Sequence, residues 1–115
     1  MPLDTLKNSK RLNNALRKML APGPERGGLI LPVARLVELQ NGATDDDSFN
    51  PRLTAADAPN LTKAIGTWHT HPGASSNLSA GDAQTFRQWP DCLHAVVGED
   101  GVSWYRVENG SVVHA

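Results

Sequence analysis

The sequence predicts a single α/β domain over residues 1–115, a mixed β-sheet flanked by helices. Three observations carry that expectation. The 115-residue length suits one core, able to bury about two-thirds of the unfolded surface. Hydrophobic residues at 39% and charged residues at 20% are the balance of a folded globular chain rather than a disordered one. The patterning runs helix, two strands, loop, strand, helix, three strands, an order that most simply lays helices against a mixed sheet.

Each element has its own signal. From Thr5 to Leu20, Leu12, Leu16, Met19 and Leu20 fall at helical spacing, and Lys7, Lys10, Arg11, Arg17 and Lys18 supply a solvated face. Ala21-Pro22-Gly23-Pro24 ends that helix, because proline cannot donate a helical hydrogen bond. Residues 27–31 and 33–39 read as strands broken at Pro32, the second with apolar residues on both faces. Residues 41–60 turn to Asn, Asp, Gly, Pro and Ser, with the acidic run Asp45-Asp46-Asp47. They read as a long surface loop with a short helix near 54–58. A strand follows over 64–69, then a helix over 79–88. Strands over 93–97, 102–107 and 111–114 close the chain as a meander, turning at Glu99-Asp100-Gly101 and Asn109-Gly110.

Composition excludes several classes. Eleven Lys plus Arg against 12 Asp plus Glu leave a net charge of −1, which recommends neither nucleic acid nor an anionic membrane as partner. The single cysteine, Cys92, cannot form an internal disulfide, which fits a reducing, cytoplasmic setting. Apolar runs such as Leu29-Ile30-Leu31 fall far short of a membrane span, and Met1-Pro2-Leu3-Asp4 opens no signal-peptide pattern.

The chemistry concentrates in His69-Thr70-His71-Pro72 and Ser79-Ala80-Gly81-Asp82. Residues two apart on a strand share a face, so His69 and His71 can aim both imidazoles at one point. Ser79 is a good helix N-cap, and Asp82 falls in the first helical turn, facing back toward the strand end. Two imidazoles and one carboxylate make an N/O ligand set suited to Zn²⁺, with a fourth position open for water as in catalytic sites. Each half has a plainer explanation. Two strand histidines can be a polar face, and Ser-x-x-Asp is a near-variant of the capping box. The joint spacing of all four positions separates the two explanations.

That spacing resembles the signature of the JAB/MPN metalloprotease domain, the JAMM motif. The family also carries an upstream glutamate before an early glycine-containing apolar segment, and Pro24-Glu25-Arg26-Gly27-Gly28-Leu29-Ile30-Leu31 is similar to it. Asn41-Gly42-Ala43 followed by Phe49 resembles the stretch after the family's second strand. The resemblance covers most of the chain and implies the JAB1/MPN, cytidine-deaminase-like architecture. It implies that His69, His71 and Asp82 bind one zinc ion. Glu25 would act as general base on a zinc-activated water and pass the proton to the leaving amine. Ser79 would help stabilise the oxyanion, a role that vies with helix capping for the same oxygen. The implied reaction is hydrolysis of a peptide or isopeptide bond in a peptide or small protein, a ubiquitin-like partner among the candidates.

Other candidates carry less. Glu38 also lies on a predicted strand, but Val37 and Leu39 beside it suggest an exposed position; Glu25 lies close to two glycines that permit close approach. Cys92 and His94 read as a half-buried strand with an inert thiol. The nucleobase deaminases' His-x-Glu and Pro-Cys-x-x-Cys are absent. Trp68 should point away from His69 into the core. The short chain looks like the compact bacterial or phage form, without the insertions that grip ubiquitin. Its closing stretch is similar to the JAB domain of phage tail-assembly proteins. A non-catalytic assembly module, with Asp45 to Asp47 as contact surface, is therefore the alternative to the enzyme.

Overall fold

The computed structural model describes residues 4–45 and 48–115. The first helical segment is two helices, α1 (Asp4–Lys7) and α2 (Lys10–Arg17), rather than one. Ser9 is the reason for the break: its hydroxyl accepts the Leu12 N–H at 3.2 Å, which caps a new helix and interrupts the old one. Strands β1 (Gly27–Leu31) and β2 (Arg35–Leu39) form a hairpin. The second strand starts two residues later than its sequence pattern suggests. After Pro32, Val33 and Ala34 take left-handed backbone angles, φ 61° and 57°, inside a 3-10 turn that cannot belong to a strand.

The long loop is also more ordered than expected at its end. A 3-10 turn at Ala55–Asp57, closed by a Thr54–Asp57 capping box, runs into α3 (Ala58–Lys63). Of the acidic run, Asp45 is exposed, whereas Asp46 and Asp47 lie outside the described residues. Strand β3 (Gly66–Thr70), helix α4 (Ala80–Arg87) and strands β4 (Leu93–Gly98), β5 (Gly101–Glu108) and β6 (Ser111–His114) complete the chain close to their expected places.

These strands make one six-stranded sheet in the order β2-β1-β3-β4-β5-β6. Every pairing is antiparallel except β3 with β4, which α4 joins as a crossover. The result is a mixed α/β domain. One face packs Ile30, Trp68, Ala95, Val97 and Trp104 against Leu6, Leu12 and Leu16 of the first two helices. Trp68 thus points into the core as alternation requires, 1% exposed. The opposite face carries two smaller clusters, one around Leu29, Leu31 and Leu39, the other around Phe86, Val96 and Tyr105. His69 lies on this second face, beside Phe86. No helix among the described residues is long and apolar enough to cross a membrane.

Candidate metal centre

A parallel strand pair joined by a helix leaves a crevice beyond the carboxyl ends of its strands. His69 stands in β3 at that end, and His71 lies one residue beyond it. The His71 N–H still donates to the Val97 carbonyl at 2.7 Å, so β4 carries the ladder to the second histidine. Thr70, between them, points the other way and is fully buried. Its hydroxyl accepts the Arg26 N–H at 2.9 Å, and its own N–H donates to the Arg26 carbonyl at 2.8 Å. That exchange ties down the residue after Glu25. Glu25 is 7% exposed, and its Oε2 lies 4.0 Å from His71 Nε2.

Asp82 arrives from the first turn of α4. Its Oδ1 is 3.0 Å from His69 Nε2, its Oδ2 is 3.1 Å from His71 Nε2, and the two imidazole nitrogens are 3.1 Å apart. The Ser-x-x-Asp segment is a capping box as well. Asp82 N–H donates to Ser79 Oγ at 3.0 Å, and Ser79 N–H donates to Asp82 Oδ2 at 3.2 Å. Capping therefore does not compete with the carboxylate's contact to the histidines; it aims that carboxylate. Nor does it exhaust Ser79, since capping uses a lone pair and leaves the hydroxyl proton to donate.

The protonation pattern follows from the neighbours. His71 Nδ1 is 3.0 Å from the Ser75 carbonyl oxygen, which can only accept, so Nδ1 carries the proton and the lone pair of a neutral ring sits on Nε2. That lone pair faces Asp82, His69 Nε2 and Glu25. Acceptors converging in this way require a cation between them, either a proton or a metal ion. The Asp82 hydrogen bond accordingly raises the His71 pKa against the effect of burial. For Asp82 burial acts upward, but the bonds to both histidines hold its carboxyl far below the usual carboxylate range.

The spacing fits a small divalent ion. Ligand atoms about 2.0–2.1 Å from a tetrahedral centre lie roughly 3.3 Å from one another, close to the 3.0 and 3.1 Å found here. Glu25, His69 and His71 form a second, overlapping group, with ligand atoms within 4.8 Å of one another and all three residues buried. The buried Glu25/His69/His71 group could hold a metal ion. Glu38 plays no part: it is exposed and pairs with Arg26 at 2.8 Å.

Several residues outside the ligand motif support the centre; of these, Asn41 and Phe49 lie in the stretch that the resemblance picked out, and the Ser75 loop with Gly98 does not. The loop bearing Ser75 is held by Ser76 N–H on Asp100 Oδ1 at 2.8 Å, Tyr105 OH on the Ser76 carbonyl at 2.8 Å and Glu99 N–H on the Ala74 carbonyl at 2.8 Å. It packs directly onto Gly98, where an added Cβ would overlap Ser75 C and Ser76 N. Asn41 is a second support. Its side-chain amide donates to the carbonyls of Glu25 and Ser48, both at 2.9 Å, and its Oδ1 accepts from Ala43 and Asn50. One residue thereby anchors both Glu25 and the following loop. The same segment lays Phe49 onto Gly27, where an added Cβ would meet the ring at 2.9 Å.

His94 and Cys92 are both buried and already engaged by neighbours. His94 is fully buried and stacked on Phe86 with ring centroids 4.1 Å apart. Thr67 Oγ1 lies 2.6 Å from its Nδ1, and its Nε2 is 3.1 Å from the Trp89 carbonyl. Burial lowers its pKa to about 4, so it is neutral. The Cys92 thiol is buried, its pKa raised by burial, and it donates weakly to the Ala64 carbonyl.

No protein-family profile matches the chain, and neither does any curated protein. Among solved structures it is similar to the solution structure of protein DSY2949 from Desulfitobacterium hafniense. The TM-score is 0.59 at 16% identity, over 95% of this chain and 86% of that one. That likeness is one of fold: a single α/β domain.

Proposed function

We propose that this chain is a zinc-dependent peptidase or isopeptidase of the JAB/MPN type. The observation that carries this reading is the convergence of His69, His71 and Asp82 at 3.0 and 3.1 Å, with the buried Glu25 carboxylate alongside. His69, His71 and Asp82 would hold the ion. Zinc there would supply Lewis acidity, polarising a carbonyl and lowering the pKa of water toward about 7. Glu25 accepts the proton from the attacking water and returns it to the leaving amine, the work of a buried general base. The Ser79 hydroxyl, its oxygen accepting the Asp82 amide, donates a hydrogen bond to the developing oxyanion. The Ser75 carbonyl holds His71 in its ligating tautomer. The substrate class is a peptide or small protein, for which a ubiquitin-like tail is the candidate offered by the motif. A cytoplasmic setting suits the lone, protonated thiol of Cys92.

The first test is metal content. Protein purified without chelator and then given equimolar Zn²⁺ is expected to hold about one zinc per chain. His69→Ala should abolish it. Absence of zinc both before and after the addition would overturn the reading and leave a non-catalytic assembly module in its place.

A further inference from the structure

A cleft of ≈ 90 Å³ opens beside His69 and Asp82 and runs between the β1–β2 hairpin, the 49–53 segment, α3 and α4. Its walls come from Leu29, Leu39, Phe49, Leu61 and Phe86, with Leu53, 46% exposed, also among its lining residues. The polar groups deeper in it are already engaged. The Thr67 hydroxyl and the His94 ring pair with each other, and the other ring nitrogen faces the Trp89 carbonyl. Away from the His69 and Asp82 end, a polar or charged side chain entering there would lose water and gain few partners, which disfavours it. The space, ≈ 90 Å³, is of the order of a single side chain.

We infer that this cleft receives a large apolar side chain of the substrate, on a residue flanking the scissile amide, and that Phe49, Leu53 and Leu61 set that preference. The inference rests on the peptidase reading. It follows from continuity: His69 and Asp82 belong both to the ligand set and to the cleft wall. An amide held at the ligands therefore presents its neighbouring side chain to the cleft. Phe49 owes its place to Gly27, and the segment bearing it is fastened through Asn41 to the backbone of Glu25. Substrate selection and the general base thus share one anchor.

The test has two arms. In the first, methyl NMR spectra of metal-free protein are followed while N-acetyl-leucinamide, N-acetyl-phenylalaninamide, N-acetyl-aspartamide or N-acetyl-lysinamide is added. The two apolar amides are expected to shift the Leu39, Leu53 and Leu61 methyls saturably, and the charged ones to leave them in place. Leu53→Asp, at a position 46% exposed where substitution should cost little stability, should weaken the apolar response. In the second arm, zinc-loaded protein meets fluorogenic peptides that differ only beside the scissile bond. A Leu or Phe there should raise kcat/KM roughly tenfold or more over Asp or Lys, and Leu53→Asp should shrink that ratio. Shifts equal for all four amides, or cleavage indifferent to the flanking residue, would overturn the inference while leaving the peptidase reading in place. Selective binding of the apolar amides without cleavage of any peptide would support the cleft's selectivity and count against the peptidase.

Discussion

Replacing Gly98 with alanine is expected to loosen the metal centre without touching any ligand. The new Cβ would overlap the backbone at Ser75 and Ser76 and sit 2.8 Å from the Ala74 carbonyl oxygen. Ordinary contact between such atoms is about 3.5 Å or more, so the loop must retreat by about 1 Å. The Ser75 carbonyl that holds His71 Nδ1 at 3.0 Å would then lie beyond hydrogen-bonding reach. Losing an outer-shell partner of this kind costs about 10–100-fold in metal affinity, equivalent to about 1.4–2.7 kcal/mol. Competition against a chromophoric chelator measures that affinity, and thermal unfolding of the metal-free protein measures the accompanying loss of stability. Gly110→Ala serves as the control. Gly110 has φ +79° in the β5–β6 turn with open space around it, so alanine there should cost stability and leave zinc affinity intact. A folded Gly98→Ala protein that binds zinc as tightly as the wild type would refute the reasoning.

Glu25→Gln should retain zinc, because Glu25 is not among the three proposed ligands, and should lower peptide hydrolysis by roughly 10²–10⁴-fold; loss of the metal together with activity would reassign Glu25 to the ligand set. Asn41→Ala removes four hydrogen bonds from a part-buried junction and should cost about 2 kcal/mol. It should depress kcat more than zinc affinity, and an unchanged kcat would show that Glu25 needs no such support. Metal-free protein should lose stability as pH falls from about 6.5 toward about 4. His94 is neutral when folded, its pKa being lowered by burial to about 4, whereas the unfolded ring takes up a proton across that interval. The contribution reaches about 3 kcal/mol, present above pH 6.5 and lost on acidification. Urea midpoints at pH 7 and pH 4.5 would read it, and His94→Gln should show the smaller drop.

Much of this architecture is legible in the residues. Alternation placed Trp68 and His69 on opposite faces, and the structure has the indole in the core with the imidazole on the other side. Asn109-Gly110 and Ser79 punctuate the chain where their backbone preferences require, whereas α2 ends at Arg17, ahead of the Pro22 and Pro24 that the pattern makes its stop. Ser9 was missed because a serine inside an amphipathic pattern looks like surface until its hydroxyl is seen capping. Val33 was misread as strand, since nothing in a β-branched residue announces a left-handed backbone. The supports of the centre could not be read for another reason. Ser75 acts through a main-chain carbonyl, Gly98 through an absent side chain, and Asp100 reaches Ser76 across 24 residues of sequence. Those properties belong to the packing, and local periodicity carries no trace of them.

The two histidines are held by unlike restraints. His69 lies within β3, flanked by Gly27 of β1 and Val96 of β4, so it moves only with the centre of the sheet. His71 hangs from the Val97 carbonyl at the sheet's margin and from the Ser75 carbonyl of a surface loop. Local opening draws on such margins long before it reaches a central strand. An ion seated between them would therefore have one mooring set by the sheet and one that holds only while Asp100, Tyr105 and Glu99 keep the 72–77 loop fastened.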